Sequence, residues 1–415
     1  MKTILLHYSV SPVIGGVEAV IDAHAQQFVK AGLPLKIIAG RGEVNALPQG
    51  VTFSRIDEMD TLHPQVSFFT DQLNQGKIPP GFDDMRDLLI NKLAPELQGY
   101  DCLIVHNVLT KHFNLPLTAA LSHLIERKAI KHTVAWCHDL TWSSPHSSNK
   151  VFPAYPWELL KTVQKNTVYV AISNGRRKEI SDTFGIPTGQ VPVIHNGVNP
   201  ELLLSLSGKG INLMERLDLF SADLILLMPV RITQAKNIEF ALHLTAALKS
   251  RGCHPKLIIT GPPDPHNNAS IAYYQSLLSL RQNLDLSENA HFIYECGETP
   301  SEGFTITPPI VSELYRIADA MLMPSHREGF GMPILEAGLL GLPVIATHIP
   351  AVEDLALKNP LIFSVDIQPD NLARQILDFM GASAEHNLRV KVRQGFTWES
   401  IFNRQIMPLL ENPTT

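Results

Sequence analysis

The sequence is poor in cysteine, with four in 415 residues, and no two of them form a CxxC pair. Cys102, Cys137, Cys253 and Cys296 are scattered, which argues against a disulfide framework or a structural zinc site and suits a reducing cytoplasm. No apolar run reaches the ~18 residues that cross a bilayer. The N-terminal MKTILLHYSV lacks a long apolar region and a cleavage site, so it is interpreted as a strand of a soluble chain.

Several common functional motifs are also missing. The sequence contains no GxGxxG, no GxxxxGK[ST], no GxSxG and no HExxH, which argues against a dinucleotide fingerprint, a P-loop, a serine-hydrolase elbow and a zinc-protease helix. The histidines are spread without ligand spacing, so no metal site is predicted. The net charge is −6 and no dense basic tract occurs, so a nucleic-acid partner is not expected.

What the sequence does contain is ample apolar material and a repeated alternation of strand and helix patterns. Apolar residues make up 45% and charged residues 18%, enough for two large cores. The alternation predicts an α/β protein with parallel sheets, built as two doubly wound domains that face each other across a cleft. The predicted parts are a first domain over 1–195, an interdomain connection over 196–222, a second domain over 223–395 and a C-terminal helix over 396–415.

Strands are predicted where short apolar runs end in polar residues, and helices where apolar residues recur at helical spacing. The predicted strands are 3–9, 35–40, 101–107, 132–140, 167–174, 192–199, 223–232, 256–261, 291–295, 320–324 and 344–347. Residues 41–100 are less regular, apart from a helix predicted around 85–97. Ligands of such sheets bind beyond the carboxyl ends of the strands, which directs attention to the loops that follow them.

The most informative stretch is PSHREGFGMPILEAGLLGLPVIAT, residues 324–347, which predicts a loop, a short helix, a turn and a strand. Gly329 and Gly331 flank Phe330, so the backbone can take conformations closed to other residues and approach a ligand closely. Pro333 suits the first helical turn. The free N–H groups at Gly331 and Met332 would point out of the helix start, where an anion is favoured.

Two carboxylates stand eight positions apart in this stretch, at Glu328 and Glu336. Carboxylates bind sugar hydroxyl groups well but repel phosphates, whereas the helix start favours a phosphate. A ligand that carries both groups, such as a sugar nucleotide, fits this arrangement. Taken singly, one surface carboxylate and one helix-terminal carboxylate are each common, so the signal depends on the glycine-rich loop between them.

Arg231 and Lys236 follow another predicted strand of the second domain, five positions apart. Arginine as a fork and lysine as a point charge can grip a diphosphate together. Two solvated loop charges are the alternative, and the nearby carboxylate-flanked loop favours the diphosphate site.

In the first domain, the candidate residues lie in two loops that follow strands. Gly15 and Gly16 either form a tight strand-to-helix turn or let a substrate lie against the backbone. His138 ends a strand and can donate to a sugar hydroxyl, take part in proton transfer, or serve as a structural histidine. Cys137 and His138 point to opposite faces, so a Cys–His dyad is rejected. The role of Asp139 is left open.

Together these motifs give the sequence a family resemblance over most of its length. The GG loop, His138–Asp139, VAISN, VIHNGVN, the Arg231/Lys236 pair and EGFGMPILE resemble the retaining glycosyltransferases of family 4, which have the GT-B fold. EGFGMPILE is similar to that family's element of two glutamates separated by seven residues. FTWESI, at 396–401, is similar to the helix that crosses back to the first domain.

The resemblance implies roles for these residues. Arg231 and Lys236 would hold the donor diphosphate, Glu336 the ribose hydroxyls and Glu328 the transferred sugar. The N–H groups of Phe330, Gly331 and Met332 would meet phosphate or sugar, and His138 would face the donor sugar from the first domain. His138, Glu328, Arg231 and Lys236 are the expected catalytic residues. The donor-binding set is Gly15, Gly16, His138, Arg231, Lys236, Glu328, Gly329, Phe330, Gly331, Met332 and Glu336.

The function expected from the resemblance is retaining, metal-independent transfer of a hexose from a nucleoside diphosphate sugar to an acceptor hydroxyl in polysaccharide or glycolipid synthesis. UDP-hexose is favoured over GDP-mannose as co-substrate, and no cofactor is expected. The expected location is the cytoplasm, with peripheral docking on the inner membrane face left open. A non-catalytic nucleotide-sugar binding protein and a sugar-nucleotide epimerase or phosphorylase on the same fold are the alternatives.

Overall fold

A computed structural model describes residues 1–263, 268–297, 304–355 and 361–411. The described residues divide into two compact units. Unit 1 comprises those within Met1–Gly197 and Trp398–Thr415, and unit 2 those within Val198–Thr397. The predicted loop at 297–309 and the loop after the strand at 256–261 lie partly outside the described residues. None of the helices in the described ranges is both long and apolar enough to cross a membrane.

Each unit contains a six-stranded sheet in which every pair of neighbouring strands is parallel. The strands of unit 1 are β1 (Thr3–Ser9), β2 (Leu35–Arg41), β3 (Thr52–Arg55), β4 (Cys102–His106), β5 (His132–Cys137) and β6 (Thr167–Ala171). The strands of unit 2 are β7 (Leu224–Met228), β8 (Pro255–Ile259), β9 (Ala290–Phe292), β10 (Ala320–Met323), β11 (Val344–Thr347) and β12 (Ile362–Phe363). Most of these strands are short apolar runs buried along their length, as expected for a parallel sheet covered on both faces.

The strand orders are β3-β2-β1-β4-β5-β6 and β12-β11-β10-β7-β8-β9. Both are the doubly wound order of a Rossmann-like domain, so the predicted α/β fold with two such domains is confirmed. The order reverses between β1 and β4 in unit 1 and between β7 and β10 in unit 2. Loops that follow those strands are where ligands of this fold bind.

Helices cover both faces of each sheet and bury apolar stripes against it. Those that precede residue 198 are α1 (Gly16–Lys30), α2 (Pro64–Leu73), α3 (Phe82–Leu97), α4 (Leu115–Glu126) and α5 (Asn174–Phe184). Those of unit 2 are α6 (Pro200–Leu203), α7 (Gly208–Arg216), α8 (Ile238–Ser250), α9 (Asn268–Asn283), α10 (Pro308–Ile317), α11 (Met332–Leu339), α12 (Pro350–Glu353), α13 (Pro369–Ala382) and α14 (Ala384–Gly395).

The C-terminal helical segment packs on unit 1. It consists of α15 (Trp398–Ile401), a π-helical turn over Phe402–Ile406 and α16 (Met407–Glu411). Ile401 and Phe402 are buried in the same cluster as Phe28 of α1, and the two phenylalanine rings meet edge to face at 5.1 Å between centroids. The stretch 196–222, predicted as an interdomain connection, carries α6 and α7, and Leu213 of α7 is buried in unit 2.

The structure differs from the predicted elements in several places. The predicted strand 192–199 is wrong, since residue 193 forms a single bridge to Ala171 and Pro192 has no N–H to extend a ladder. The predicted strand 132–140 ends at Cys137, where the side chain of Asn107 accepts hydrogen bonds from the next two backbone N–H groups. Residues 41–100, which were predicted to hold one helix, also contain β3 and α2.

Candidate active site

Two predicted site residues of unit 2 meet at the point where the strand order reverses. Lys236 ends a 3₁₀ turn in the loop after β7, and Glu328 lies in the loop after β10. β7 and β10 are paired neighbours, with Ala320 opposite Leu226. Because parallel strands end at the same edge of the sheet, the two loops are brought side by side although their residues are far apart in sequence.

The Lys236 ammonium donates to both carboxylate oxygens of Glu328, each at 2.7 Å. Ser325 Oγ donates to Glu328 Oε1 at 2.6 Å, and the backbone N–H of His326 donates to the carbonyl of Ala235 at 2.9 Å. The Glu328 side chain is 9% exposed and that of Lys236 21%. The two groups predicted to hold sugar and diphosphate therefore also bind each other and lock the two loops together.

Arg231 is the second predicted cation, and it follows β7 directly with its side chain exposed. Its neighbours in sequence, Val230 and Ile232, are buried and anchor the backbone on either side. Among the described residues, no carboxylate lies within 4 Å of the Arg231 guanidinium. In contrast to Lys236, which binds Glu328, Arg231 is therefore available to bind an anionic ligand.

The start of α11 has the geometry predicted for an anion site. Gly331 precedes the helix with φ of +89°, a left-handed conformation that few residues other than glycine adopt, and no side chain caps the helix there. The first N–H groups therefore point outward with the positive end of the helix dipole. The side chains of Phe330 and Met332 are exposed, at 50% and 56%, and Gly329 has open space around it.

Glu336 lies on α11 with an exposed side chain. Its Oε2 accepts a hydrogen bond of 2.7 Å from the hydroxyl of buried Tyr315. Burial and this carboxylate together raise the pKa of Tyr315, so the hydroxyl stays a donor. An open groove of about 540 Å³ adjoins Glu336 and has a largely apolar lining that includes Val311, Tyr315 and Leu339. The arrangement holds the carboxylate of Glu336 beside an apolar surface.

In unit 1, β5 ends at Cys137 because the side chain of Asn107 accepts hydrogen bonds from the next two backbone N–H groups. Asn107 Oδ1 accepts from the N–H of His138 at 2.8 Å and from that of Asp139 at 3.1 Å. Asn107 itself follows β4 with φ of +61°, a conformation that asparagine tolerates better than most residues. Asn107 thus fixes the position of the His138 backbone.

His138 belongs to a buried cluster of four histidines, with His7, His24 and His106. His106 Nδ1 and His138 Nε2 are 3.0 Å apart, and the two rings stack. His7 Nδ1 lies 2.8 Å from the carbonyl oxygen of His106. Among the described residues, neither ring nitrogen of His24 has a hydrogen-bond partner, and its ring lies edge-on to Trp136 at 4.7 Å.

Burial keeps this histidine cluster neutral. It lowers the pKa of His138 to about 3, with smaller contributions from His7 and Arg176, and lowers that of His24 to about 3. The pKa values of His7 and His106 are also lowered, chiefly by burial. A general base works best with a pKa near the working pH, so this geometry favours hydrogen bonding to a sugar over proton transfer for His138. Among the described residues, Nδ1 of His138 has no partner and remains for a ligand.

Asp139, whose role the sequence left open, binds Arg176. Arg176 Nη2 donates to Asp139 Oδ1 at 3.0 Å, and its other terminal nitrogen donates to Glu179. Asp139 makes no hydrogen bond to the ring of His138 in the described part of the chain.

The GG loop after β1 is occupied by a carboxylate of the protein itself. Gly15 is extended, with φ of −166°, and a Cβ at this position would lie 2.1 Å from Glu18 Oε2. Glu18 also accepts a 2.6 Å hydrogen bond from Ser9 Oγ. Gly16 has open space around it. A group does lie close to the Gly15 backbone, and in this structure that group is the side-chain carboxylate of Glu18.

Within the described ranges, no group of three or more histidine, cysteine, aspartate or glutamate side chains is placed to hold a metal ion.

Asn107 offers a test of how the His138 loop is held. Asn107→Ala is expected to cost about 2–4 kcal/mol in the free energy of unfolding, because the buried N–H of His138 and the partly buried N–H of Asp139 lose their acceptor and alanine is strained at positive φ. Asn107→Gly removes the same acceptor without the backbone strain, so the difference between the variants isolates the strain. Urea unfolding followed by tryptophan fluorescence measures both. An alanine variant as stable as the wild type would show that the Asn107 amide does not hold the loop.

Two family models together cover most of the chain. Residues 14–202 match the model described as Glycosyltransferase Family 4, and residues 212–394 match the model described as Glycosyl transferases group 1. Both halves of the chain are therefore similar to glycosyltransferases. The two Rossmann-like domains agree with the GT-B fold that the sequence predicts. The first model contains Gly15, Gly16 and His138, and the second contains the other predicted site residues.

Similar proteins include glycosyltransferases. An uncharacterized glycosyltransferase of Methanocaldococcus jannaschii is 25% identical over 59% of this chain and 60% of its own length. A D-inositol 3-phosphate glycosyltransferase of Kineococcus radiotolerans is 26% identical over 46% of this chain and 41% of its own length. The matches thus span about half the length of these relatives. The crystal structure of a glycosyltransferase from Rickettsia africae covers 100% of this chain and 99% of its own at 19% identity, with a TM-score of 0.39.

Four residues that contact the predicted site residues were not singled out from the sequence. Asn107, Ser325 and Tyr315 bind predicted site residues, and Glu18 covers Gly15. Asn107 and Ser325 each stand one or two positions after a strand, so polar residues at strand ends were the available signal. Tyr315 and Glu18 lie on helices and gave no such signal.

Proposed function

We propose that this protein transfers a hexosyl group from a nucleoside diphosphate sugar to an acceptor hydroxyl, with retention of the anomeric configuration. One observation carries the proposal: the Lys236–Glu328 pair holds two strand-end loops together beside an exposed arginine and an uncapped helix start. Cations and outward N–H groups suit a diphosphate, and carboxylates suit sugar hydroxyls. A sugar nucleotide is the ligand class that needs all of them together.

In this proposal the diphosphate binds Arg231 and the N–H groups at the start of α11. The Lys236 ammonium, which donates to Glu328 in this structure, then also donates a hydrogen bond to the phosphate oxygens. Glu328 then accepts from a hydroxyl of the transferred sugar, and Glu336 accepts from the ribose. Gly329, Gly331 and the exposed backbone beside Phe330 and Met332 allow close approach. The apolar groove beside Glu336 suits the nucleoside.

The reaction requires stabilisation of developing charge. The bond between the anomeric carbon and the diphosphate oxygen breaks, and its electron pair goes to that oxygen. The acceptor oxygen forms the new bond on the same face, and its proton passes to the leaving diphosphate. Arg231, Lys236 and the α11 dipole would stabilise the growing negative charge, an effect worth on the order of 3 kcal/mol per donor in enzymes. His138 would offer a neutral imidazole to a sugar hydroxyl.

UDP-hexose remains the favoured donor, and a thermal-shift screen of UDP, GDP and ADP is the direct way to identify the base. The proposal needs no cofactor, because the two cations carry the charge stabilisation. The synthesis of a polysaccharide or glycolipid in the cytoplasm, at the inner face of the membrane in the second case, is the setting proposed for it.

Arg231→Ala tests the donor site. It is expected to weaken binding of the nucleoside diphosphate selected by the screen by about 2–4 kcal/mol, the scale for losing a charge-assisted contact. Isothermal titration calorimetry measures this. Arg251→Ala is the matched control, since Arg251 binds Asp370 elsewhere in unit 2 and should leave affinity unchanged. Equal affinities of wild type and Arg231→Ala would remove Arg231 from the site. Tight nucleotide binding without any sugar transfer or donor hydrolysis would favour the non-catalytic alternative.

A further inference from the structure

A buried tyrosine holds an exposed carboxylate in place on α11. Tyr315 of α10 is 3% exposed, and its ring lies in the same buried cluster as Ile334 and Ala337 of α11. Its hydroxyl donates to Glu336 Oε2 at 2.7 Å, whereas the Glu336 side chain is itself exposed. The core therefore fixes the phenol, and the phenol fixes a carboxylate that faces solvent.

This hydrogen bond orders a side chain that would otherwise be mobile. A glutamate on the solvent side of a helix samples several rotamers, and a ligand that binds it must first overcome that loss of conformational entropy. Tyr315 has already ordered the carboxylate of Glu336 before any ligand arrives. Burial raises the pKa of Tyr315, and the neighbouring carboxylate adds to the rise, so the hydroxyl keeps its proton and remains the donor.

The carboxylate of Glu336 keeps free acceptor capacity. Oε2 accepts from Tyr315, whereas Oε1 has no hydrogen-bond partner in the described ranges. Each carboxylate oxygen has room for two hydrogen bonds, so Oε2 can accept one more. A carboxylate accepts hydrogen bonds and does not donate them, so a ligand must bring donors. Two adjacent hydroxyl groups match the two adjacent oxygens.

Glu336 also stands at the right place for a pentose. It is on the same helix as the uncapped start after Gly331, and it borders the open groove whose apolar lining includes Val311 and Leu339. In the proposed function, the start of α11 takes the diphosphate and the groove takes the nucleoside. The pentose joins these two parts of a nucleotide, so its hydroxyl groups are expected next to Glu336.

We propose that Tyr315 is a positioning residue that makes the donor site specific for ribonucleotides. By holding Glu336 in one place, it presents both carboxylate oxygens to the 2′- and 3′-hydroxyl groups of ribose. The inference rests on the proposed function, which supplies the nucleotide, and it adds the residue that selects the pentose. A nucleotide that lacks these hydroxyl groups leaves the ordered carboxylate without its donors and binds more weakly.

The test compares two ligands that differ only in the pentose. Isothermal titration calorimetry gives the dissociation constants of UDP and 2′,3′-dideoxy-UDP, or of the matching GDP or ADP pair where the thermal-shift screen selects that base. Wild type is expected to bind the ribonucleotide at least about tenfold more tightly, the scale for losing a hydrogen bond to a charged group. Tyr315→Phe is expected to lower this preference at least about threefold and to leave the affinity for the dideoxy analogue unchanged.

The unchanged affinity for the dideoxy analogue is a result that a merely structural role of Tyr315 would not give. Phenylalanine keeps the ring in the core and removes only the hydroxyl, whose partner carboxylate stays in solvent. General damage to unit 2 would weaken both ligands alike. Arg231→Ala shows that pattern, because loss of a diphosphate contact should weaken both ligands by the same factor. Equal losses for both ligands in Tyr315→Phe, or an unchanged preference, would overturn the proposal.

Tyr273→Phe is the matched control. Tyr273 is a second buried tyrosine of unit 2 whose hydroxyl donates to a glutamate, in this case Glu239 of α8. Its replacement should leave the preference for the ribonucleotide unchanged. A fall in preference as large as that of Tyr315→Phe would assign the effect to the loss of any buried hydroxyl and would contradict the proposal.

A double variant shows whether Tyr315 acts through the carboxylate. Glu336→Ala alone is expected to remove most of the preference for the ribonucleotide. Adding Tyr315→Phe should then lower it no further, because the two residues act as one unit. A further threefold fall in the double variant would mean that Tyr315 acts by another route, and the proposal would fail.

Nucleotide binding by wild type separates this inference from the proposed function. A protein that binds UDP and its dideoxy analogue equally well keeps the diphosphate site and loses the selection of ribose by Tyr315. A protein that binds none of UDP, GDP and ADP loses the proposed function, and the inference fails with it.

Discussion

Glu328→Gln is expected to lower kcat of sugar transfer about a hundredfold while leaving nucleotide affinity within about threefold of wild type. The carboxylate accepts two hydrogen bonds from Lys236 and one from Ser325. A glutamine of the same shape keeps one acceptor but presents an N–H₂ group to the ammonium, so Lys236 loses its counter-charge. Lys236 remains free to bind phosphate, whereas the sugar loses its carboxylate. The measurement is steady-state kinetics beside calorimetry with the selected nucleotide.

The matched control for Glu328→Gln is Glu295→Gln, which removes the carboxylate of another ion pair in unit 2, that of Glu295 with Arg281. It is expected to leave kcat unchanged. Lys236→Met provides the contrast, since it should weaken nucleotide binding as well as kcat. A Glu328→Gln variant with the rate of wild type would remove Glu328 from the site. Equal losses in affinity and rate would assign it to nucleotide binding instead.

The order and kind of most elements could be predicted because strand and helix patterns are local. The bounds of α4 and α8 follow directly from apolar spacing and flanking residues. Strand ends were harder, because they depend on contacts that are distant in sequence. The predicted strand 132–140 runs past Cys137 since the sequence of the strand does not reveal that Asn107 binds its next two N–H groups.

The site was predictable as a set of residues but not as a set of bonds. The glycine-rich stretch and the two glutamates predicted an uncapped helix start, and the structure has one after Gly331. That Lys236 binds Glu328 could not be predicted, because the pairing depends on β7 lying next to β10. The histidine cluster was missed for the same reason, since His7, His24, His106 and His138 come from four separate elements or loops.

Unit 1 is expected to lose stability steeply between pH 7 and pH 5. The four histidines of the cluster have pKa values lowered by burial in the folded chain, to about 3 for His24 and His138. In the unfolded chain a histidine titrates near pH 6.5. Below that pH the unfolded chain binds more protons, so stability is fully present above pH 6.5 and falls as the pH drops towards the folded pKa values.

The expected loss between pH 7 and pH 5 is about 2 kcal/mol each for His24 and His138, or about 4 kcal/mol for the two, and His7 and His106 act in the same direction. A loss of this size is a large part of the stability of a typical domain. Urea unfolding at pH 8, 7, 6 and 5 measures it. All four tryptophans, at positions 136, 142, 157 and 398, lie in unit 1, so their fluorescence reports the unfolding of this unit alone.

His24→Phe assigns the effect to the cluster. Phenylalanine preserves the ring beside Trp136 and removes two ring nitrogens that have no partner in the described part of the chain. The variant is expected to stay within about 1.5 kcal/mol of wild type at pH 8 and to lose about 2 kcal/mol less between pH 7 and pH 5. His146→Gln is the control, because His146 is exposed and solvent reaches its ring in both states. An unfolding midpoint independent of pH, or an unchanged pH dependence in His24→Phe, would show that these histidines do not stay neutral in the folded chain. In that case His138 would regain the proton-transfer role that its burial argues against.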